Sequence, residues 1–342
     1  METNVLWYIG KKMNNPTCKV CGHEMMVALE NLYDTRYGYP DYFDVLRCTN
    51  CGLFLVNPPL TQEEIGPLYT NYYPYADIDV EKIKNGFRPE LGVRSKFKNW
   101  LTGNHRIQNM LPKGSGRVLE IGCGDGRSLL QLKAFGYDAY GIETDENIRR
   151  IKDTLNLNVH IGTIENSDFQ SSTFDLITAN QLVEHLINLD SFLSKTKSLL
   201  KDNGTIILST PNANSLYRII FGRIWINWHI PYHQQVFTSK SVKTLLEKHG
   251  LEIIKIKTVS PTAWTLHQLE AFRHPSKIGV KNPYWAINSQ KLKVESQKSL
   301  TLGVHIKRLI LNLIVFLITI TNRIIDLFRI GDCLVVYIKN SS

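Results

Sequence analysis

From Arg117 to Thr258 short apolar runs alternate with helical patterns, and this alternation restricts the fold more than any other feature of the chain. Val118–Ile121, Ala139–Ile142, Val159–Ile161, Phe174–Ala179, Thr205–Ser209 and Leu251–Thr258 read as strands. Arg127–Phe135, Asp145–Leu155, Leu189–Leu200 and Ser239–His249 read as helices, with Gly136 and Gly250 as stops and Asn203-Gly204 as a turn. Each crossover helix must bury its apolar stripe on the sheet, so the expected class is α/β with a mainly parallel sheet covered on both faces. After a long pause, a last strand is expected at Leu334–Ile338.

Composition adds limits rather than identity. At 342 residues, with 43% hydrophobic and 21% charged residues, the chain is ordinary globular material of about two domains, neither disordered nor collagen-like. The net charge of +9 is uneven: Trp264–Ser342 holds eleven Lys/Arg against four Asp/Glu. A local excess favours a local anionic partner, such as a phosphate, a pyrophosphate or a lipid surface, and makes a nucleic-acid partner an unlikely expectation. Met1–Gly10 lacks the pattern of a signal peptide, so reduced thiols and a cytoplasmic or membrane-peripheral setting are expected.

The chemical centre of the sequence is Val118-Leu119-Glu120-Ile121-Gly122-Cys123-Gly124-Asp125-Gly126, an apolar strand that ends in three alternating glycines before a helix. Glycines there let the backbone turn sharply and approach a ligand closely. A dinucleotide loop needs its third glycine at position 127, which is Arg127. The spacing instead resembles motif I of the class I S-adenosylmethionine-dependent methyltransferases. Glu143, at the end of the second strand, falls where that family places the acid that accepts from both ribose hydroxyls. Gly162-Thr163-Ile164-Glu165 falls where its adenine-flanking loop lies. Leu182-Val183-Glu184-His185-Leu186 after the fourth strand is similar to the Glu-His signature of the branch that holds ubiquinone-type O-methyltransferases and many glycan methyltransferases. Leu208–Asn212 and the Tyr232-His233…Phe237-Thr238 stretch look like the same branch.

The resemblance implies a Rossmann-like sheet whose last strand is antiparallel. It also implies S-adenosylmethionine as cofactor, held by Glu120, Gly122, Cys123, Gly124, Asp125, Gly126, Glu143, Thr163, Ile164, Glu165 and Asn180. Glu120 either caps the loop through backbone amides or lies near the cofactor's amino group. Cys123 between two glycines reads as a small filler, since nothing nearby supplies a base. Methyl transfer needs alignment and, for a hydroxyl acceptor, a base; His185 and His233 are the candidates, with His229 beside them.

Two Cys-x-x-Cys-Gly knuckles, Cys18/Cys21 and Cys48/Cys51, supply four thiolates, enough to close a structural tetrahedral zinc site. Similar knuckles precede the methyltransferase domain of some sugar C-methyltransferases. The chain therefore divides into a zinc ribbon (1–60), a helical, tyrosine-rich connector or lid (61–112), the cofactor domain (113–262), a basic insertion with an apolar amphipathic helix (263–330) and the final strand (331–342). Thr61-Gln62-Glu63-Glu64 has the spacing of a capping box that opens a helix.

Leu309–Ile320 is the most apolar segment, too short by itself to span a bilayer, and Lys307, Arg308, Arg323 and Arg329 flank it. Burial against the core or in a homodimer is one expectation. Peripheral membrane contact through 305–329 is the other. The expected activity is methylation of a small-molecule or glycan hydroxyl or carbon, the glycan being a sugar, sugar nucleotide or lipid-linked sugar of polysaccharide biosynthesis. An RNA methyltransferase that binds through its ribbon is the alternative, and a non-catalytic zinc-stabilised interaction protein the second. Asn180-Gln181-Leu182-Val183 lacks the Pro-Pro-aromatic motif of base-amino methyltransferases, and Asn57-Pro58-Pro59-Leu60 precedes the glycine loop and ends in Leu.

Overall fold

The computed structural model describes residues 16–73, 79–104, 106–285 and 302–341. Residues 1–15 of the ribbon, Tyr75 of the tyrosine-rich stretch and residues 286–301 of the basic insertion lie outside them.

The ribbon is an antiparallel meander of β1 (Met25–Tyr33), β2 (Tyr42–Cys48) and β3 (Phe54–Asn57). The connector folds as four helices, α1 (Gln62–Tyr72), α2 (Val80–Gly86), α3 (Val93–Thr102) and α4 (Ile107–Met110). The expected capping box opens α1, with the Thr61 amide donating to Glu64 Oε2 at 2.9 Å.

From Arg117 the strand–helix alternation runs as the apolar periodicity demands. β4 (Arg117–Ile121), α5 (Arg127–Ala134), β5 (Asp138–Glu143), α6 (Ile148–Leu155), β6 (Asn158–Ile161), β7 (Phe174–Asn180), α7 (Leu189–Leu199) and β8 (Leu200–Pro211) follow in order. Next come α8 (Leu216–Phe221), β9 (Gln235–Val236), α9 (Ser239–Lys248), β10 (Leu251–Val259), α10 (Thr262–Arg273), α11 (Leu302–Leu327) and β11 (Cys333–Asn340). The main sheet has seven strands in the order β10-β11-β8-β7-β4-β5-β6. β8, β7, β4, β5 and β6 pair in parallel, and β11 is antiparallel to both of its neighbours. This is the Rossmann-like methyltransferase arrangement expected. Its order reverses between β7 and β4, so the glycine loop after β4 opens at the carboxyl edge where the crossovers diverge.

Three details differ from the sequence reading. The Asn203-Gly204 turn lies inside β8, whose register with β7 jumps from Phe174↔Leu200 to Leu176↔Thr205, so residues 201–204 form a bulge within one strand. α6 begins at Ile148 rather than Asp145, because Asp145 folds back on its own turn and accepts the Asn147 amide at 3.0 Å. The apolar segment does not end at Ile320: α11 continues through Asn322 and Arg323 to Leu327. Among the described residues, Arg308–Leu327 is long and apolar enough to cross a membrane, with 17% of it buried. The short-span reading stopped where polar side chains began, and those side chains dock on the domain instead of ending the helix. The core-burial reading fails for most of this helix, as Leu309 (68%), Leu313 (57%) and Phe316 (54%) are exposed.

Candidate active site and metal centre

β4 ends at Ile121 and the chain turns through Gly122, Gly124 and Gly126 with φ of 76°, 54° and 73°. All three lie in the left-handed region, where a side chain is strained. A β-carbon on Gly126 would sit 2.6 Å from Leu157, so this glycine lets α5 close on the sheet. At Gly124 a β-carbon would meet nothing within 4 Å; that face of the loop is open, as a ligand cradle needs. The Gly122 and Cys123 amides are tied to the Ile142 carbonyl at 2.8 and 3.1 Å. Cys123 is 5% exposed and packs against Gly141, where burial raises its thiol pKa; it fills space, as its neighbours suggested.

Glu143 closes the cradle. Its Oε2 accepts the Gly124 amide at 2.8 Å, and its Oε1 accepts the amides of Thr144 and Asp145 at 2.8 and 3.1 Å. Each carboxylate oxygen offers about two acceptor positions; Oε1 is filled by these two amides, with the Thr144 hydroxyl also 3.4 Å away, and one position remains on Oε2. The two-handed grip implied by the family pattern is thus reduced to one free position while these amides are in place. Glu120 does not cap the loop amides. It is 3% exposed, Oε1 accepts from Asn180 Nδ2 at 3.2 Å, and Oε2 is a buried oxygen with no hydrogen-bond partner. Burial pushes its pKa up to about 7.

Asn180 is saturated. Its oxygen accepts the Ile107 amide at 3.0 Å and the Ser209 hydroxyl at 3.3 Å, while its nitrogen donates to Gln108 and Glu120. Its place is to fasten the start of α4 to the end of β7, a supporting position rather than a free ligand contact. Asp125 accepts the Arg127 amide and pairs with the Arg127 guanidinium at 2.9 Å. Thr163 and Glu165 are exposed beyond β6, and Ile164 is buried between them.

The turn after β7 carries His185 and abuts the glycine loop, where a β-carbon on Gly122 would lie 3.4 Å from Leu182, while His229 and His233 come from the loop before β9. His185 Nδ1 lies 3.0 Å from the Tyr232 carbonyl oxygen and 3.0 Å from the Tyr69 hydroxyl. A carbonyl only accepts, so Nδ1 carries the proton and donates, leaving Nε2 as the basic atom. His233 repeats the device, with Nδ1 2.8 Å from the Asn227 carbonyl oxygen. The two rings lie 4.7 Å apart in an edge contact, and His229 stacks on Tyr232 at 4.7 Å. Desolvation pushes the His185 pKa down to about 4 and those of His229 and His233 well below the usual range, so all three rings are neutral at pH 7. Glu184 is fully buried and raised to about 8 by desolvation, with Oε2 unpartnered. Glu184, His185 and His233 each place a donor atom within 4.8 Å of the others, a convergence able to hold and move a proton. Glu184 and Tyr69 were visible only as a motif neighbour and a member of a tyrosine cluster. Tyr69 joins the site through its contact with His185 across 116 residues, which no local pattern encodes.

Residues 98–256 match the family model described as a methyltransferase domain. That match takes in 159 of the 342 residues. Similar curated proteins include the ubiquinone biosynthesis O-methyltransferase of Bradyrhizobium diazoefficiens, 32% identical over 117 residues, covering 32% of this chain and 45% of the relative. The namesake from Bartonella tribocorum is 22% identical over 181 residues, covering 49% and 73%. The chain thus spans about half the length of the first of these relatives. Among solved structures, that of a methyltransferase from Archaeoglobus fulgidus is 21% identical with a TM-score of 0.42, covering 76% of this chain and 98% of that one.

The four cysteines of the ribbon converge. Cys18 and Cys51 sulfurs are 3.6 Å apart, Cys21 and Cys48 sulfurs 3.4 Å, and all four fall within 4.8 Å of one another. Thiolates about 2.3 Å from a tetrahedral zinc lie about 3.8 Å apart, so the donor set fits that ion. Gly22 and Gly52, both at φ 73°, close the two knuckles.

The ribbon does not stand free of the domain. β9 pairs with β3 (Leu55↔Gln235, Phe54↔Val236), and the Thr238 hydroxyl donates to the Cys51 carbonyl at 2.8 Å. The Gln235 amide donates in turn to the carbonyls of Val183 and Leu186 at 2.6 and 2.8 Å, and the Gln234 backbone amide to that of Glu184 at 2.8 Å. Cys51 and His185 are therefore joined through one short strand.

Proposed function

We propose that this protein transfers a methyl group from S-adenosylmethionine to a hydroxyl or carbon of a small-molecule or glycan acceptor, with zinc holding the ribbon. The observation that carries this reading is the junction of an open glycine cradle, closed by Glu143, with a turn that presents a neutral histidine. S-adenosylmethionine, when bound, supplies an electrophilic methyl on a sulfonium. The residues here bind, orient and take the proton. The bare backbone at Gly124 admits the ligand, the free position on Glu143 Oε2 accepts a hydroxyl, and buried Glu120 Oε2 suits a cationic or N–H donor. His185 and His233 are each anchored through Nδ1, which leaves an unprotonated Nε2 to take a proton. A ring with a pKa near 4 stays neutral at pH 7 and accepts a proton only as the acceptor oxygen becomes acidic during transfer. The names of the curated relatives support oxygen as the acceptor atom.

The test is transfer of tritium from methyl-labelled S-adenosylmethionine into separated lipid-extractable and water-soluble glycan pools. Label entering one pool with wild type, and not with Glu143→Ala, supports the reading. A folded, S-adenosylhomocysteine-binding protein that labels neither pool argues against the acceptor class.

A further inference from the structure

The C-terminal half of α11 is docked on the domain. Thr319 bonds to Thr262 at 3.1 Å, Asn322 donates to Thr265 at 3.0 Å, and Arg323 donates to the carbonyls of Trp100 and Ser260 at 2.9 and 2.7 Å. Its N-terminal half projects. Leu309, Ile310, Leu311, Leu313, Phe316 and Leu317 are each 52–68% exposed, and consecutive positions point to all sides of the helix. A helix apolar all round is at rest only inside a core or a membrane.

Two neighbours of the docked half also expose apolar side chains. α3, held to α11 through Arg323, exposes Phe97 and Trp100 at 60% each. α8, held through Tyr217 and Asn322, exposes Ile219 and Ile220 at 64% and 61%. Residues 93–102, 216–224 and 308–329 together carry eight Lys/Arg and one acid, Asp326. That acid is paired with Arg323 at 2.7 Å. Apolar tips set among unopposed cations match an anionic lipid surface and argue against a second copy, whose identical face would bring the same positive charge.

Charge sets the depth. α11 starts at Leu302, and Arg308, one of the cations counted above, would reach the bilayer interior if the helix entered end-on, so the segment lies along the interface with its cations at headgroup level. The helix cannot cross, because its C-terminal turns are bonded to the domain and the chain re-enters the sheet at Cys333.

We propose that the projecting half of α11, with the apolar tips of α3 and α8, lies along the interface of one leaflet of an anionic bilayer and docks the enzyme on the membrane surface. The proposal stands on these exposed residues and does not depend on the catalytic reading. Full-length protein is sedimented with vesicles of phosphatidylcholine alone or mixed with phosphatidylglycerol, and tryptophan quenching by brominated lipid reports insertion. Wild type is expected to pellet with the anionic vesicles, less so in high salt, and Leu313→Glu with Phe316→Glu to lower partition ~10-fold or more while S-adenosylhomocysteine affinity is unchanged. Trp100→Phe should remove part of the quenching. A wild type that stays in the supernatant with anionic vesicles overturns the proposal. So does a wild-type dimer that the double variant makes monomeric without changing vesicle partition, since a second copy then covers the face.

Discussion

Replacing Glu143 by alanine separates what this residue does for the loop from what it does for a ligand. Its carboxylate accepts three backbone amides at 2.8, 2.8 and 3.1 Å, which leaves one acceptor position on Oε2. The three amides lie near solvent, so water replaces most of the lost bonds, and the apo protein should lose only about 1–2 kcal/mol. The free position is different, because a hydroxyl bonded to a charged acceptor contributes about 1.5–3 kcal/mol, or roughly 10- to 150-fold in affinity. Calorimetric titration with S-adenosylhomocysteine measures the second quantity, and the melting temperature of the unliganded variant measures the first. Glu143→Gln keeps a neutral acceptor and should fall between wild type and alanine. An affinity for Glu143→Ala within twofold of wild type, in a protein that melts normally, would refute the placement of the ligand at this carboxylate.

Four further outcomes follow from the geometry. Glu184 titrates near 4.5 when unfolded and near 8 when folded, so its contribution to stability is full below pH 4.5 and lost as pH rises toward 8. Glu184→Gln should therefore raise the melting temperature more at pH 8 than at pH 5, and an equal shift at both would contradict its burial in the neutral form. His185 has the opposite sign: its folded pKa of about 4 lies below the unfolded 6.5, so its contribution fades as pH falls through that interval. His185→Gln should flatten the acid side of the melting profile. Asp332, 4% exposed, accepts from Trp225 Nε1 and Asn227 Nδ2, both at 3.0 Å. Asp332→Ala strands two buried donors and should cost about 2–4 kcal/mol in chemical denaturation, with a loss below ~1 kcal/mol counting against the network. Chelating zinc, or Cys48→Ala, should loosen β3 from β9 and so the carbonyls that Gln235 holds. Methyl transfer should then fall ~10-fold or more while S-adenosylhomocysteine affinity stays within about threefold, and proportional loss of both would show general unfolding instead.

The sheet and the cofactor loop were legible because their signals are local. An apolar strand, glycines at alternate positions and a helix start occupy nine consecutive residues, and the backbone there has little freedom to do anything else. The cysteine knuckles were legible for the same reason, since ligand spacing is a local constraint. What the sequence could not show is how distant parts meet. Asn180 looked like a ligand contact by its position at the end of a strand, yet one backbone amide and three side chains from other segments saturate it. Glu120 was open between two roles until Asn180 took one oxygen and left the other bare. The ribbon looked like a separate module, but β9 arises from the loop that carries Tyr232 and His233 and completes the ribbon's sheet. The apolar run of α11 was closed at Ile320, with Thr319 inside it and Arg323 on the same helical face, so its length fell short of a span while the contacts of Thr319, Asn322 and Arg323 stayed hidden. Their partners at Thr262, Thr265 and Ser260, from 57 to 63 residues away, are what allow the helix to continue.

A crystal structure of the zinc-loaded protein with S-adenosylhomocysteine tests most directly whether the open loop at Gly122–Gly126 and the turn at Glu184–His185 form one methyl-transfer site, as proposed. The ribose is expected at Glu143, the thioether over Gly122–Gly124, and the sulfur on the side of His185 and His233 across an acceptor-sized gap. A well-ordered ligand whose sulfur points away from those histidines, or which binds elsewhere with the glycine loop bare, would contradict the proposal.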